Sequence, residues 1–266
     1  ELPNYSNGNE YWLFHSGNYS SDNSTVSELE ASGHRVFRLP KSRRALRLFG
    51  LIGRLPPLYR DPFPSVPDLL FSPTGCMLPI KAKKRIGMIH DLSVFEYPEG
   101  ISSTEQMITR REFNGVVERC EAIGTVSEFS RGRIIERWGL AEASVVNVSS
   151  GANWPGHETE KSYSVHPELV DADGALIPYF IWGGSMSKRK NVPLIVRAFS
   201  DLISNHDVKA KLVLAGTPGN DSAHVSRLIS TLGIGARVVN LGYVEEEQFR
   251  EAIGGSLAFI FPSFYE

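Results

Sequence analysis

A chain of 266 residues with 41% hydrophobic and 22% charged side chains is long enough for about two domains, each with its own core. Its 28 Lys and Arg against 30 Asp and Glu leave a formal charge of -2, which excludes a disordered polyelectrolyte and a strongly basic nucleic-acid binder, so any cation cluster is local. No apolar run reaches the roughly 18 residues of a membrane span, and Cys76 and Cys120 lie far apart, outside metal-like spacing, as in a reduced cytoplasmic protein.

The chain begins at Glu1, has its first methionine at Met77 and stops at Glu266 directly after a strand-like run. Such ends read as those of an internal piece of a longer protein. Past a polar start, residues 10–15 (EYWLFH) and 36–39 have strand character. Residues 43–53 carry Leu46, Phe49 and Leu51 at helical spacing; Arg43, Arg44 and Arg47 fall on other faces, either solvated or placed to touch an acidic lipid or acceptor. After the proline-rich stretch 56–67, residues 68–72 read as a short buried strand.

Residues 85–91, RIGMIHD, form an apolar strand ending in a His-Asp pair, the place where parallel α/β sheets present functional side chains. His90 is there either a packed, capped histidine or a hydrogen-bond donor to a sugar hydroxyl. Helix-forming residues 105–120 precede a strand at 121–126; Ser127 then caps an amphipathic helix that ends at Gly139, and a strand follows at 144–148. This alternation predicts a parallel sheet with covering helices over residues 1–151. Residues 152–174 break the rhythm, and a linker is expected over 152–176. Asp171 and Asp173 within it are a carboxylate pair of the kind that clamps a metal on a diphosphate, but with no strand before them to hold the geometry they read as solvated linker acids, and no metal site is expected.

From residue 177 the pattern is regular. Residues 179–182 (YFIW) read as a buried strand, Gly183 and Gly184 as the turn at its end, and Asn191 onward as a helix with Leu194, Ile195, Ala198, Phe199, Leu202 and Ile203 on one face. Strands are expected at 210–215, 237–241 and 257–261, helices at 222–232 and 245–253. Lys188, Arg189 and Lys190 fall where backbone amides and a helix start converge, which suits a phosphate; the plain alternative is a solvated basic turn. Gly216, Gly242 with Tyr243, and Glu266 close the other strands on the same sheet edge, a repetition more specific than any single glycine turn.

The succession GGSMSKRKN, LVLAG, VVNLGYVEEEQF and AFIFPSFYE resembles the retaining glycosyltransferases of the GT-B fold, the glycosyl transferase group 1 family. RIGMIHDLSVFEYPE, TVSEFSRGRI and VVNVSSGAN resemble successive segments of its first domain, and the His-Asp wording and the Arg-Lys-Asn triplet look most like bacterial mannosyltransferases of surface polysaccharide synthesis. The resemblance implies an α/β protein of two Rossmann-like domains, both incomplete here: an acceptor-side domain at 1–151 and a nucleotide-sugar domain at 177–266.

It implies transfer of a hexose, with mannose and a GDP donor favoured, to a glycan or lipid-linked glycan with retention and without a metal or other cofactor. Lys190 would meet the donor diphosphate, with Gly184, Ser185, Arg189 and Gly216 also at the donor. Val244 would contact the base by its backbone, and Glu246 would accept hydrogen bonds from guanine. His90 would bond the transferred sugar and Glu266 would hold it from the other side, and no nucleophile is assigned. Ser185 stands where the family often has an arginine, with Arg189 as a substitute. The glycine-rich loop after the family's first strand, and the second of two glutamates spaced by seven residues, lie outside the chain, so the piece by itself is expected to be inactive. A cytoplasmic location is expected, with room for peripheral association at the inner face of a membrane and no role for nucleic acid. The alternative from another class is a noncatalytic protein of the same fold that binds a nucleotide or glycan; a sugar-nucleotide epimerase of like architecture would need different acids in the site.

Overall fold

A computed structural model describes residues 10–16, 35–39, 65–151 and 166–266, together with Ala31 and Arg47. The chain divides into a first unit, Glu1–Phe95 with Ser103–Gly151, and a second, Glu96–Ser102 with Ala152–Glu266. In the first unit, β1 (Trp12–Ser16) pairs in parallel with β2 (Arg35–Leu39), Trp12 opposite Arg35. A separate four-stranded parallel sheet runs in the order β3-β4-β5-β6, formed by Leu69–Ser72, Lys84–Met88, Ala122–Thr125 and Val145–Asn147. Between the strands lie α1 (Ser93–Glu96), α2 (Ser103–Arg119) and α3 (Glu128–Trp138).

The side-chain period of two in a strand sorts this sheet into two faces. Leu70, Ile123 and Val145 turn to one face and pack with Val116 of α2 and Ile134 of α3. Leu69, Phe71, Val146 and Val148 on the other face are exposed. As the sequence predicts, Ser127 caps α3, its hydroxyl accepting from Ser130 N, and Gly139 ends it at φ 61°.

Three expectations in this half are modified. The strand expected to run to Asp91 ends at Met88, so Ile89, His90 and Asp91 follow it; Ile89 N still reaches Gly124 O at 2.9 Å before the chain turns. The short helix α1 was not anticipated, and Asp91 Oδ1 accepts the Ser93 amide at its start. The helical pattern at 43–53 lies outside the described residues except for Arg47, which is not a solvated or lipid-facing cation. Its guanidinium donates to both oxygens of Glu112 at 2.7 and 2.6 Å and to Glu105 at 2.7 Å. Glu112 is only 7% exposed, and a carboxylate so placed requires such a bidentate partner.

The second unit holds a parallel sheet in the order β10-β7-β8-β9: β7 Tyr179–Gly183, β8 Lys211–Ala215, β9 Val238–Gly242 and β10 Ala258–Phe259. Helices α4 (Val192–Asn205), α5 (Ser222–Thr231) and α6 (Glu246–Gly254) connect them. Trp182, Leu212 and Leu214 pack with Val192, Ile195, Val196, Phe199, Val225 and Leu228. Tyr179, Ile181, Val213, Ala215 and Val239 meet Phe249, Ala252 and Ile253 on the opposite face. Covered on both faces, β7 and β8 are near-continuous apolar runs, as buried parallel strands require.

Here too the sequence reading needs correction. Asn191 is not the first helical residue: it sits in the left-handed region at φ 53°, ψ 40° and caps α4, which starts at Val192. The buried stripe of α4 is Val192, Ile195, Val196 and Phe199, whereas Leu194 is 50% exposed and Ala198 is also exposed. The strand expected at 257–261 is shorter, although Ile260 N still bonds Ile181 O at 2.8 Å.

Of the expected linker, residues 152–165 lie outside the described residues, and 166–176 fold onto the second unit. There Leu169 is 3% exposed in the core and Val170 bridges Leu176. Asp171 Oδ1 accepts the amides of Asp173 and Ala175, so this acid shapes a turn. Glu96–Ser102, which nothing in the sequence separates from the first half, also belongs to the second unit: the Tyr97 ring stacks on Phe264 with centroids 5.6 Å apart, and Gly100 O accepts from Asn220 Nδ2 at 2.9 Å.

Candidate functional site

Strand order fixes where a ligand fits in the second unit. From β7 the chain steps outward to β8 and β9, then returns to place β10 on the other side of β7. The order therefore reverses between β7 and β10, and an open parallel sheet leaves a crevice outside the carboxyl ends of its strands at such a switch point. The segments that follow β7 and β10 are 184–191 and 260–266.

Glycine lets the strand ends close up. Gly184 N continues the ladder to Ala215 O at 2.9 Å, and Gly216 N reaches Gly242 O at 2.6 Å. Gly216 lies at φ 146°, and a Cβ on it would stand 1.7 Å from the Gly184 carbonyl oxygen, so the two backbones touch where side chains have no room. Met186, 5% exposed, anchors the following loop, its amide donating to Thr217 O and its carbonyl accepting from Asp221 N. Ser185 is exposed beside it. A 3-10 turn at Lys188–Lys190 then leads into α4; Lys188 N donates to Asn220 Oδ1 at 2.9 Å while the Lys188 side chain is exposed.

The turn and the segment after β10 are bound together. Phe264 N donates to Arg189 O at 2.9 Å and Asn191 Nδ2 to Pro262 O at 3.3 Å. On this frame Glu266 stands between two cations: Lys190 Nζ is 2.6 Å from its Oε1, and Arg189 Nη1 is 2.8 Å from its Oε2. The same Arg189 nitrogen also donates to Tyr265 O. Lys190 Nζ lies 4.6 Å from the centre of the Phe261 ring, within cation-π range. Partial burial pushes the Glu266 carboxyl up, but the hydrogen bonds from Lys190 and Arg189 help outweigh it and hold the group below the ordinary carboxylate range. Two cations against one carboxylate leave a net positive charge, and a site of that sign beside a helix start suits a phosphate.

Lys190, Arg189 and Glu266 are thus brought together, with the Gly184–Gly216 contact on the same sheet edge. Val244 and Glu246 follow β9. Val244 is half-buried against the core, while Glu246 is exposed at the first residue of α6 and paired with Arg250 one turn on. His90 belongs to the first unit. It is exposed, and its Nε2 bonds Pro73 O at 2.8 Å, so that nitrogen carries the proton and Nδ1 is the acceptor in the neutral ring. Among the described residues no group of three His, Cys, Asp or Glu is placed to hold a metal ion. Phe261 and the Tyr265 carbonyl escape a reading by motif. No spacing rule links positions about 70 residues apart; only the parallel pairing of β10 with β7 joins them.

Residues 177–266 match the family described as glycosyl transferases group 1, which bears out the resemblance to that group over this part of the chain. The chain is 23% identical over 199 residues to O-antigen chain mannosyltransferase B of Escherichia coli, covering 75% of this chain and 52% of that protein. With an uncharacterized glycosyltransferase of Methanocaldococcus jannaschii it shares 24% identity over 169 residues, 62% of this chain and 42% of the relative. The chain therefore spans about half the length of these curated relatives. Alr3699/HepE of Anabaena, solved in complex with UDP and glucose, superposes with a TM-score of 0.58 at 16% identity, over 98% of this chain and 68% of that one. A likeness at that identity concerns the fold alone, which is of the α/β GT-B type.

Proposed function

We propose that this chain carries the donor site of a group 1 hexosyltransferase that moves mannose from GDP-mannose to a glycan or lipid-linked glycan, with retention and without a metal. The observation that carries the reading is the cluster of Lys190, Arg189 and Glu266 at the switch point of the second sheet. Departure of a nucleoside diphosphate leaves growing negative charge on the β-phosphate, and a preorganised cation with amide donors stabilises it in place of a metal. In this reading Lys190 meets the diphosphate, Glu266 holds the sugar, and Val244 meets the base through its backbone. Mannose is supported by the Escherichia coli relative. Guanine is supported by Glu246, an exposed carboxylate that accepts two N–H donors once Arg250 gives way.

No helix among the described residues is long and apolar enough to cross a membrane. A lipid-linked acceptor would be met peripherally, from the cytoplasmic side. A second reading, binding without transfer, draws on Glu266 being already neutralised by both cations and on Ser185 at a position where the family often has an arginine.

The test takes the protein from the full reading frame that contains this chain and measures nucleoside diphosphate release from a panel of GDP- and UDP-sugars. The expected outcome is release of GDP from GDP-mannose above all others, with that preference lost in Glu246→Gln. Binding without release from any donor supports the second reading instead, and a Glu246→Gln protein that still prefers GDP removes the guanine contact.

A further inference from the structure

Arg189 and Lys190 are adjacent in sequence and share one carboxylate, yet they hold it differently. Lys190 makes one contact to Glu266, Nζ to Oε1 at 2.6 Å, and its other neighbour is the face of Phe261. Arg189 is tied to residues 264–266 three times: its carbonyl accepts Phe264 N at 2.9 Å, and its Nη1 donates to Tyr265 O at 2.5 Å and to Glu266 Oε2 at 2.8 Å. Two of these ties go to main-chain atoms, and so they hold the segment itself. An incoming phosphate competes with one side-chain contact at Lys190, whereas Arg189 Nη1 is committed to a carbonyl and a carboxylate, so a tie that includes the main chain holds that guanidinium to the segment. The two cations also grip different oxygens of Glu266, so removing one leaves the other in place.

We infer that Arg189 is a positioning residue that keeps Glu266 in place while Lys190 exchanges the Glu266 carboxylate for a diphosphate. This rests on the donor-site reading above and deepens it. It replaces the expectation that Arg189 supplies the second phosphate contact which Ser185 cannot, and it gives the sequence Arg-Lys a division of labour. Glu266 occupies the lysine in the unliganded site and acts as an internal counter-ion. When a diphosphate takes Lys190, Oε1 is released toward the transferred sugar while Oε2 and the Tyr265 carbonyl stay with Arg189. No bond is made or broken in this step, and the only change is the partner of the ammonium group.

The experiment compares the wild-type chain with Lys190→Gln, Arg189→Gln and Glu266→Gln, titrated with GDP and UDP by calorimetry. It also follows the Glu266 side-chain carboxyl through its own acid titration by carbon-13 NMR in wild type and Arg189→Gln. Lys190→Gln is expected to weaken nucleotide binding at least tenfold, Arg189→Gln to change it less than threefold, and Glu266→Gln to tighten it severalfold because Lys190 loses its competitor. In wild type saturated with GDP the Glu266 carboxyl still titrates below the ordinary range, and in Arg189→Gln with GDP it returns to that range. If Arg189→Gln weakens nucleotide binding as much as Lys190→Gln does, Arg189 is a phosphate contact and the inference is overturned. It is equally overturned if Arg189→Gln, shown folded by its circular dichroism, leaves the Glu266 titration unmoved. Binding of neither nucleotide by the wild-type chain contradicts the donor-site reading and, with it, the exchange at Lys190; the tie between Arg189 and Glu266 is still decided by the NMR titration.

Discussion

Glu266 is the residue at which the two unlike demands of the site meet. Its carboxylate must be negative to hold Lys190 and Arg189, and half of its surroundings are protein rather than water. The cations win, so its folded pKa lies below the ordinary glutamate value of 4.5. The sign of the linkage follows. A carboxyl whose pKa falls on folding contributes stability that is fully present above the unfolded value and is lost as the pH drops through the lower folded value. At 44% side-chain exposure the pair is screened, so the contribution is small and weakens with salt. Thermal unfolding followed against pH should show wild type above Glu266→Gln at neutral pH, with the gap closing only below pH 4.5 or so. A gap that stays constant to strong acid contradicts the ion pairs. At this scale Lys190 was legible because a cation just ahead of a helix, after a glycine turn, has a known use. Phe261 was not: as every second residue of a strand-like run it reads as core, and only the observed 4.6 Å approach to Lys190 reveals its second role.

Among the elements, strands were easier to place than the faces of helices. The apolar run at 179–182 became β7 almost unchanged, since a buried parallel strand needs little more than an unbroken apolar stretch closed by glycine. In α4, apolar residues at 192, 194, 195, 196, 198 and 199 satisfy two helical stripes 100° or so apart. The sequence alone favours the one beginning at Leu194, and packing against Trp182 and Leu214 selects the one beginning at Val192. The helix starts one residue late because Asn191 sits in the left-handed region; its side-chain Nδ2 donates to Pro262 O, and its side chain makes no cap bond to the helix. The strand ends make the most sensitive prediction. Gly216→Ala places a methyl group on the Gly184 carbonyl at a φ of 146°, and overpacking of this kind costs about 1–3 kcal/mol. Urea unfolding should show that loss, together with weakened GDP binding as β7 and β8 are forced apart; an alanine variant as stable as wild type contradicts the backbone contact.

For the whole molecule, the alternation of strand and helix pointed to the α/β fold class, and the order of motifs pointed to the family whose model matches residues 177–266, without any contact being known. What the alternation left open was assignment by space. Glu96–Ser102 lies between two elements of the first unit and yet belongs to the second, through a ring stack and an asparagine amide that no local pattern encodes. Residues 166–176 looked like linker because they are polar, but the single buried Leu169 is enough to seat them on the second core. Arg47, read as surface charge, is the partner of the buried Glu112. In each case long-range contacts outweigh the composition of the segment around them. The proposal that the second unit binds a nucleotide sugar through Lys190 is independent of these corrections. Calorimetric titration with GDP-mannose of the wild-type chain and of Lys190→Ala tests it most directly. Loss of one charge-assisted hydrogen bond, about 1.5–3 kcal/mol, predicts that wild type binds and that the variant binds at least tenfold more weakly. Equal affinity in the two proteins, or no binding by wild type, would contradict the account.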